Sequence, residues 1–440
     1  NKRRKDKISM QLSLFYDYER ICRSSSFFQK FETLFLAVEA ISDEQTLRKG
    51  MGRSGYGPIC FLKALIYKNA QQIASIPELL RDLESRPLIC DMIGFPFGKL
   101  PDSSNFYRFL NGHKNSEIQE LLYKSKKLLL EKGIITTDII IADSKPIKAC
   151  TKENNPKNPN RSLNKNDKIK WNPHATLGYY SYIKQPLGGR KKKFSFFWGY
   201  RTHVLVSKEG IPLVEVTRPN NFKDHRVAKA LLRKLCKIYG QKKDRIFLGD
   251  AGYDERELYN FIRKNLKSEP YIAINPRNRQ KPKTMGPHNR PMCEGNLEMK
   301  FAGTCSEPSR TRKKFVCPIA HGSQKEKKRL PLRCPVKHEL FCSGKGYGCT
   351  KYIDVTNDAR SQVPRESDSY RRAFKLRTEV ERYFSRMGER EAEQTSHFKY
   401  LAIRNQISIA HLTLSLTALA AVILKRPDKI RCFRAFADAA

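Results

Sequence analysis

A short run of β-branched residues that ends in one acid places the tightest constraint on this chain. Residues 139–141 are all isoleucine, and Asp143 follows them after a single alanine. Three consecutive β-branched residues favour an extended, buried strand. Pro146 cannot continue a central ladder, so we expect the strand to end near it. Asp143 would then lie at the carboxyl end of a strand, where open α/β sheets place their ligands.

The same pattern returns further along the chain, where RIFLGDAGYD places Asp250 directly after an apolar run. Between the two acids, the apolar stretches 196–206 and 211–219 are separated by SKEG, which predicts a hairpin. Helices are predicted over 224–239 and 255–267. The pattern therefore indicates an α/β fold with Asp143 and Asp250 at the ends of two strands that could be neighbours.

A late predicted helix, 367–391, carries Glu379 and Glu381. Three carboxylates in one place repel each other, and they become stable when they bind hard divalent cations such as Mg²⁺. Two such ions activate an attacking oxygen and stabilise a leaving one, as phosphodiester cleavage requires. The alternative is that Asp143 and Asp250 are only capping or surface acids.

The net charge indicates the class of partner. The 440 residues contain 85 Lys and Arg against 44 Asp and Glu, a formal charge of +41. A surface this basic attracts a polyanion, and nucleic acid is the usual one, although a generally basic surface without such a partner is the alternative. Two basic loops, 150–170 and 188–194, lie between the first and second predicted strands, beside the acids.

Two segments bear on location. The first ten residues, NKRRKDKISM, have no apolar core, so we expect no secretory signal and a cytoplasmic, nucleoid-associated protein. Residues 407–424 carry no formal charge, but eighteen residues with His411 and four hydroxyl side chains are at the lower limit for a membrane span. We expect a buried helix there and no membrane partner.

Six segments are predicted. A basic segment covers 1–57, and 58–133 is helical with tight turns, which suits either a DNA-binding helix-turn-helix module or a plain helical bundle. Residues 134–275 and 366–425 form two parts of one core, separated by an insertion over 276–365 and followed by a basic tail over 426–440. The insertion contains six of the twelve cysteines, but no Cys-x2–4-Cys pair exists, so we expect free thiols rather than a zinc site.

Three stretches, IIIADSKPIK, FLGDAGYD and FKLRTEVERYFSRMGEREAE, resemble the catalytic stretches of DDE insertion-sequence transposases. Residues 57–110, from GPICFLKALIY through SSNFYRFL, resemble the N-terminal domain of that family. The late stretch keeps the family spacing of Tyr, Arg, Glu and Lys, with Phe374, Arg377, Glu381 and Gly388 at these positions. The resemblance implies an RNase H-like mixed sheet flanked by helices, an all-helical N-terminal domain and a Cys-containing insertion.

The resemblance also implies a function. It implies Asp143, Asp250 and Glu381 as ligands of two Mg²⁺ ions, for which Mn²⁺ can substitute, and cleavage and strand transfer at terminal inverted repeats by a homodimer on double-stranded DNA. A DNA-binding protein that has lost catalysis, or a nuclease that cuts without joining, are the alternatives. The residues expected to contact DNA are Lys145, Arg190, Lys191, Lys192, His203, Arg377, Arg386 and Arg390.

The predicted late helix also separates its two glutamates. Residues two apart on a helix point about 200° away from each other, so only one can face the metals. Arg377 lies one turn before Glu381 on the same flank, whereas Glu379 is predicted on a solvated flank beside Arg382. Gly388 stands where the family has Lys, and we expect that a Lys at this position would be tolerated.

Overall fold

The structure is a computed structural model. The residues that it describes are 17, 20, 24–42, 47, 56–96, 99–184, 191–275, 286, 290–308, 310–323, 334–336, 348–354, 359–360, 362–365, 367–388 and 393–432.

The N-terminal part of the described chain is helical, and local capping explains several of its boundaries. Ser75 accepts a hydrogen bond from the Glu78 amide at the start of one helix, and Asp102 accepts one from Ser104 at another. The helices are α1 (Ser26–Glu39), α2 (Pro58–Ala70), α3 (Ile76–Glu84), α4 (Pro87–Ile93), α5 (Ser103–Gly112) and α6 (Asn115–Glu131).

A mixed sheet follows, in the order β2-β3-β1-β5-β6, with β4 also paired to β3. The long strand β3 pairs with β2 along its first half and with both β1 and β4 along its second half. The predicted hairpin is β3–β4, and β5 and β6 run parallel to β1. The strands are β1 (Ile139–Lys148), β2 (Thr176–Lys184), β3 (Lys191–Ser207), β4 (Pro212–Pro219), β5 (Ile246–Gly249) and β6 (Glu269–Ile272).

Strand β1 is longer than the sequence predicts, because it runs through Pro146 to Lys148. The Ala149 amide donates to the Trp198 carbonyl, so odd-numbered residues of this stretch hydrogen-bond to β3. The nitrogen of Pro146 therefore faces the other edge of β1, where β5 pairs only as far as Ile141. A missing N–H costs nothing at an unpaired edge, so the prediction that the strand ends near Pro146 is wrong. Asp143 accordingly lies in the middle of β1 and not at its carboxyl end, as the sequence predicted.

Helices cover both faces of this sheet. The helices after the fourth strand are α7 (Asp224–Tyr239), α8 (Arg256–Asn260), α9 (Pro318–His321), α10 (Asp368–Lys375), α11 (Thr378–Arg386) and α12 (Tyr400–Ile423). Within the described residues, α12 is long and apolar enough to span a membrane, with a mean hydropathy of 1.7, but 83% of its apolar window is buried. The prediction of a buried helix is confirmed, since α12 packs against α1, α2, α5, α6 and β4 and joins the helical region and the sheet in one core.

The Cys-containing insertion forms a separate three-stranded antiparallel sheet in the order β7-β8-β9. Its strands are β7 (Lys300–Glu307), β8 (Arg310–Val316) and β9 (Thr350–Asp354). Arg256 of α8 forms an ion pair with Asp354 and so ties the insertion to the core. The described cysteines, including those of the insertion, form no disulfide bonds.

Candidate active site

The first predicted acid lies in a crowded, electronegative position. Asp143 is half-buried in β1, and its Oδ1 accepts a hydrogen bond from the Ser144 amide at 2.7 Å. The pKa of Asp143 is raised to about 7, chiefly by burial; the negative charges of Asp250 and Asp224 add to the rise, and the Ser144 amide and Arg377 oppose it. The carboxyl is therefore held in a position that disfavours its charged form.

The second acid lies where the sequence predicts it. Asp250 follows β5, and β5 is the parallel neighbour of β1, which confirms that the two strands are adjacent. The Asp250 Oδ1 accepts a hydrogen bond from the Gly252 amide at 2.9 Å and so caps the 3₁₀ turn Ala251–Tyr253. The cap does not exclude a role as a cation ligand, because capping occupies only one of the two carboxylate oxygens.

The third predicted acid lies on a helix that is broken just before it. The expected single helix is divided into α10 and α11, with Arg377 at the start of α11. At the break, the Arg377 amide bonds to the carbonyl of Phe374, three residues back, as in a 3₁₀ turn. Glu381 is 54% exposed and forms an ion pair with Arg377. Arg377 also lowers the pKa of Asp143 through its charge, so it acts electrostatically on both the first and the third acid.

The prediction that Glu379 lies on a solvated flank is wrong. Its side chain is only 8% exposed and forms ion pairs with Arg382 and, at 2.8 Å, with Arg431. The turn at Gly210 also closes over it, because a Cβ on that glycine would stand 3.5 Å from Glu379 Oε2. The helical period could not reveal this, since the covering groups come from the β3–β4 turn and from the C-terminal segment.

Asp224 is a fourth acid that the sequence reasoning missed. It begins α7, and its Oδ1 accepts a hydrogen bond from Ser144 Oγ at 3.0 Å. A Cβ atom placed on Gly252 would lie within 4 Å of both Asp224 Oδ2 and Asp250 Oδ1, so the two carboxylates lie near one another. An aspartate in the first turn of a helix is common for local reasons, and therefore its position alone carries no functional signal.

Comparison with known proteins identifies the family. The family model described as transposase DDE domain matches residues 135–416, and a second model, described as a transposase domain of the DUF772 type, matches residues 17–112. The chain belongs to the DDE transposase family. No curated protein sequence matches it. Among solved structures, the transposase is similar to a cryo-EM structure of the piggyBac transposase synaptic complex with hairpin DNA, with 10% identity, a TM-score of 0.36, and coverage of 95% of this chain and 82% of that one. That likeness is too weak to carry an argument.

Two of the residues predicted to contact DNA, Lys145 and Arg386, already have partners within the transposase. Lys145 lies beside Asp143 and is 14% exposed, with its ammonium 3.3 Å from both the Phe384 carbonyl and Glu393. Arg386 donates to the Gly210 carbonyl at 2.6 Å, in the cluster that buries Glu379. Neither side chain lies open to solvent, so each would have to leave these partners to reach DNA.

The prediction that His203 contacts DNA is wrong. This residue is 1% exposed on β3, so its imidazole cannot contact a DNA backbone as predicted. Burial, together with Arg201 and Arg218, lowers the pKa of His203 to about 3, and its Nδ1 lies 3.4 Å from Asp224 Oδ1. Burial follows from register, since His203 stands on an interior strand opposite Ser144 and Val216.

The other predicted DNA contacts are mostly beyond the described residues. Arg190 and Arg390 lie outside them altogether. Lys191 and Lys192 form the first two positions of β3, and their side chains are likewise outside the description.

Gly388 has a structural explanation in the transposase. It follows the last residues of α11 with a φ of +89°, in the left-handed region that ends many helices. A side chain there would be strained, so a Lys at this position would cost backbone free energy, while its effect on strand transfer stays a prediction.

The chemistry of the acids fits a hard divalent cation. Carboxylate oxygens are the ligands that Mg²⁺ prefers, and a cation would favour the charged form of Asp143, which burial and the neighbouring acids disfavour. Across the described ranges, no three His, Cys, Asp or Glu side chains are arranged closely enough to hold a metal ion, and this includes the cysteine-bearing insertion. Asp143 and Asp250 are thus the residues that would hold the cation first, with Glu381 reaching the site only by leaving Arg377.

Proposed function

We propose that this transposase binds the terminal inverted repeats of an insertion sequence and performs Mg²⁺-dependent cleavage and strand transfer. The single observation that supports the proposal is the pair Asp143 and Asp250, which two parallel neighbouring strands bring to one edge of the sheet. Mn²⁺ would substitute for Mg²⁺, since both take oxygen ligands.

The bound cations would activate an attacking oxygen and stabilise the leaving one. The residues of the chain have separate tasks around them. Asp143 and Asp250 would hold the cations, and the Ser144 and Gly252 amides fix the orientation of these two carboxylates. Arg377 holds Glu381 beside the site until a cation or a phosphate competes for one of them. This exchange would complete the ligand set only when substrate is present.

The charge of the chain supports DNA as the substrate. An excess of 41 positive charges favours binding of a polyanion, and the basic stretches 150–170 and 188–194 lie between Asp143 and Asp250 along the chain. We include in the proposal a homodimer in the active complex and a cytoplasmic, nucleoid-associated location. The six segments predicted from the sequence, with the helical region as a DNA-binding part, also belong to this proposal.

The test combines sequencing with gel assays. The DNA that flanks the gene should contain inverted repeats, and a labelled fragment that carries one repeat should be shifted, nicked and joined to a target plasmid when Mg²⁺ is added. A shift without nicking would indicate a DNA-binding protein that has lost catalysis. Nicking without joined product would indicate a nuclease. The logarithm of the binding constant should fall with the logarithm of salt concentration, with a slope of roughly −0.9 per phosphate contacted.

A further inference from the structure

Three aromatic side chains are exposed on one face of the β2–β3 hairpin. Tyr179, Phe194 and Phe196 are 54%, 52% and 49% exposed. The Tyr179 ring lies 5.7 Å from the Phe194 ring and 6.1 Å from the Phe196 ring, between centroids. We call these three residues the aromatic hairpin surface. Exposed rings that touch each other form one continuous apolar patch, which soluble proteins usually keep for a partner.

This surface lies on the same face of the sheet as Asp143, which belongs to the neighbouring strand β1. Asp143 stands opposite Val204, and Phe196 and Phe194 are on the same side of the strand, because they are an even number of residues from Val204. Phe196 is eight residues from Val204, which corresponds to roughly 26 Å at 3.3 Å per residue. Between them Trp198 and Tyr200 are fully buried, so the row of rings leaves the core and continues into solvent.

The surroundings of the surface are basic. Lys193 precedes Phe194 and is exposed, and residues 190–193 read RKKK. On the opposite face of the hairpin, the Lys148 ammonium lies 5.6 Å from the Tyr180 ring centroid. Lys193 and Lys148 lie on the face opposite the three rings, so the positive charge runs along the hairpin and not over the rings themselves. With the RKKK run and a net charge of +41, a hairpin that carries both cations and exposed rings favours a polyanion with flat aromatic groups over an apolar protein surface.

We propose that the aromatic hairpin surface stacks unpaired bases at the DNA ends on which the transposase acts. The inference rests on the proposed function, because it assumes that DNA occupies the site at Asp143. Bases inside a duplex are stacked on each other and offer no free face, whereas unpaired bases can stack on aromatic side chains in a basic groove. The surface is therefore expected to distinguish a frayed or tailed end from a blunt one.

The test measures binding of the full chain to two probes. One is a blunt 30-base-pair duplex, and the other is the same duplex with three unpaired 3′ nucleotides that include 2-aminopurine. The variant Tyr179→Ala/Phe194→Ala/Phe196→Ala should bind the tailed duplex about tenfold more weakly than wild type and the blunt duplex within about twofold. Wild type should quench the 2-aminopurine fluorescence, and the triple variant should not.

Two controls separate stacking from folding. The variant Tyr179→Phe/Phe194→Tyr/Phe196→Tyr keeps the rings and should bind and quench like wild type. Phe301→Ala removes another exposed ring, 43% exposed on β7, and should leave both probes unaffected. A loss in the ring-keeping variant equal to that of the alanine variant would overturn the proposal, since the rings would then not be the cause.

The remaining outcomes are also decisive. Equal loss on blunt and tailed probes, or no loss on either, would overturn the inference while leaving the proposed function intact. A wild-type protein that binds neither probe would instead contradict the proposed function. If light scattering shows that wild type is a dimer without DNA and the triple variant a monomer, the surface is an interface between copies and the inference is wrong.

Discussion

Two buried carboxylates in one row of the sheet differ in what surrounds them. Asp143 on β1 stands opposite Val204 on β3, and Val204 stands opposite Glu215 on β4, so the two acids share a face about 10 Å apart. Burial raises the pKa of both carboxyls. The charged groups around the two carboxyls differ in sign.

Around Glu215, the neighbourhood compensates the charge. Its carboxylate accepts hydrogen bonds from Gln119 and Ser408, and Lys234, Lys126 and Arg404 lower its pKa. Around Asp143, the nearby acids Asp250 and Asp224 add charge of the same sign, and Arg377 is the cation that opposes them. The contrast is between a carboxylate with several cationic partners in the fold and one for which we have proposed a cation from outside.

The largest expected effect is on cleavage. Asp143→Asn and Asp250→Asn should each reduce Mg²⁺-dependent nicking by at least about a thousandfold, because each removes a charged ligand from the cation. Affinity for DNA measured by gel shift should change by less than about threefold. Asp138→Asn, at an exposed acid beside the same strand, is the matched control and should cut normally. Wild-type nicking by either site variant would refute the assignment of the acids.

The next effect concerns the compensated acid. Glu215→Ala should lower the free energy of unfolding by about 3–5 kcal/mol, because it leaves the buried Lys126 without its counter-charge. Denaturant unfolding followed by circular dichroism would measure the loss. A loss below about 1 kcal/mol would remove the contrast with Asp143.

Asp143→Asn should have the opposite effect on stability in the absence of metal. The folded state raises the pKa of Asp143 to about 7, so this carboxyl favours folding below about pH 4 and loses that contribution as pH rises towards 7. The variant cannot ionise, and it should therefore be more stable than wild type at pH 8 by at most about 4 kcal/mol.

Thermal unfolding in EDTA at several pH values tests this sign. The advantage of the variant should be absent at pH 4 and grow up to pH 7. Added Mg²⁺ should stabilise wild type and leave the variant unchanged, because a cation stabilises the state that binds it. A variant that is less stable than wild type at pH 8 would contradict the raised pKa.

The smallest expected change in stability comes from the same comparison of two acids on α11, Glu379 and Glu381. Glu379→Gln should cost about 1–3 kcal/mol of stability, since it leaves Arg431 and Arg382 without their buried partner, and should change nicking little. Glu381→Gln, at an exposed position, should change stability by less than about 0.5 kcal/mol and reduce nicking strongly. Both variants should be tested in stability assays and in nicking assays. If Glu379 rather than Glu381 were the third acid, Glu379→Gln would be the variant that loses nicking.

Local chemistry in the sequence determined much of the architecture. Consecutive isoleucines before Asp143 and the apolar run before Asp250 predicted two buried strands, and their adjacency follows from the parallel pairing of β1 and β5. The buried helix α12 and the hairpin β3–β4 were also predictable, because period and apolar content are properties of short segments. The family resemblance depended on the same short stretches.

Only the tertiary structure decided which charged side chains are covered. Glu379 is buried by the β3–β4 turn and by Arg431, and His203 is buried because β3 lies inside the sheet. Asp224 approaches Asp143 and Asp250 only when α7 packs against β1 and β3. Helical and strand periods report the neighbours of a residue along its own segment. Burial and like-charge repulsion arise between segments that are distant in sequence, and therefore no local pattern contains them.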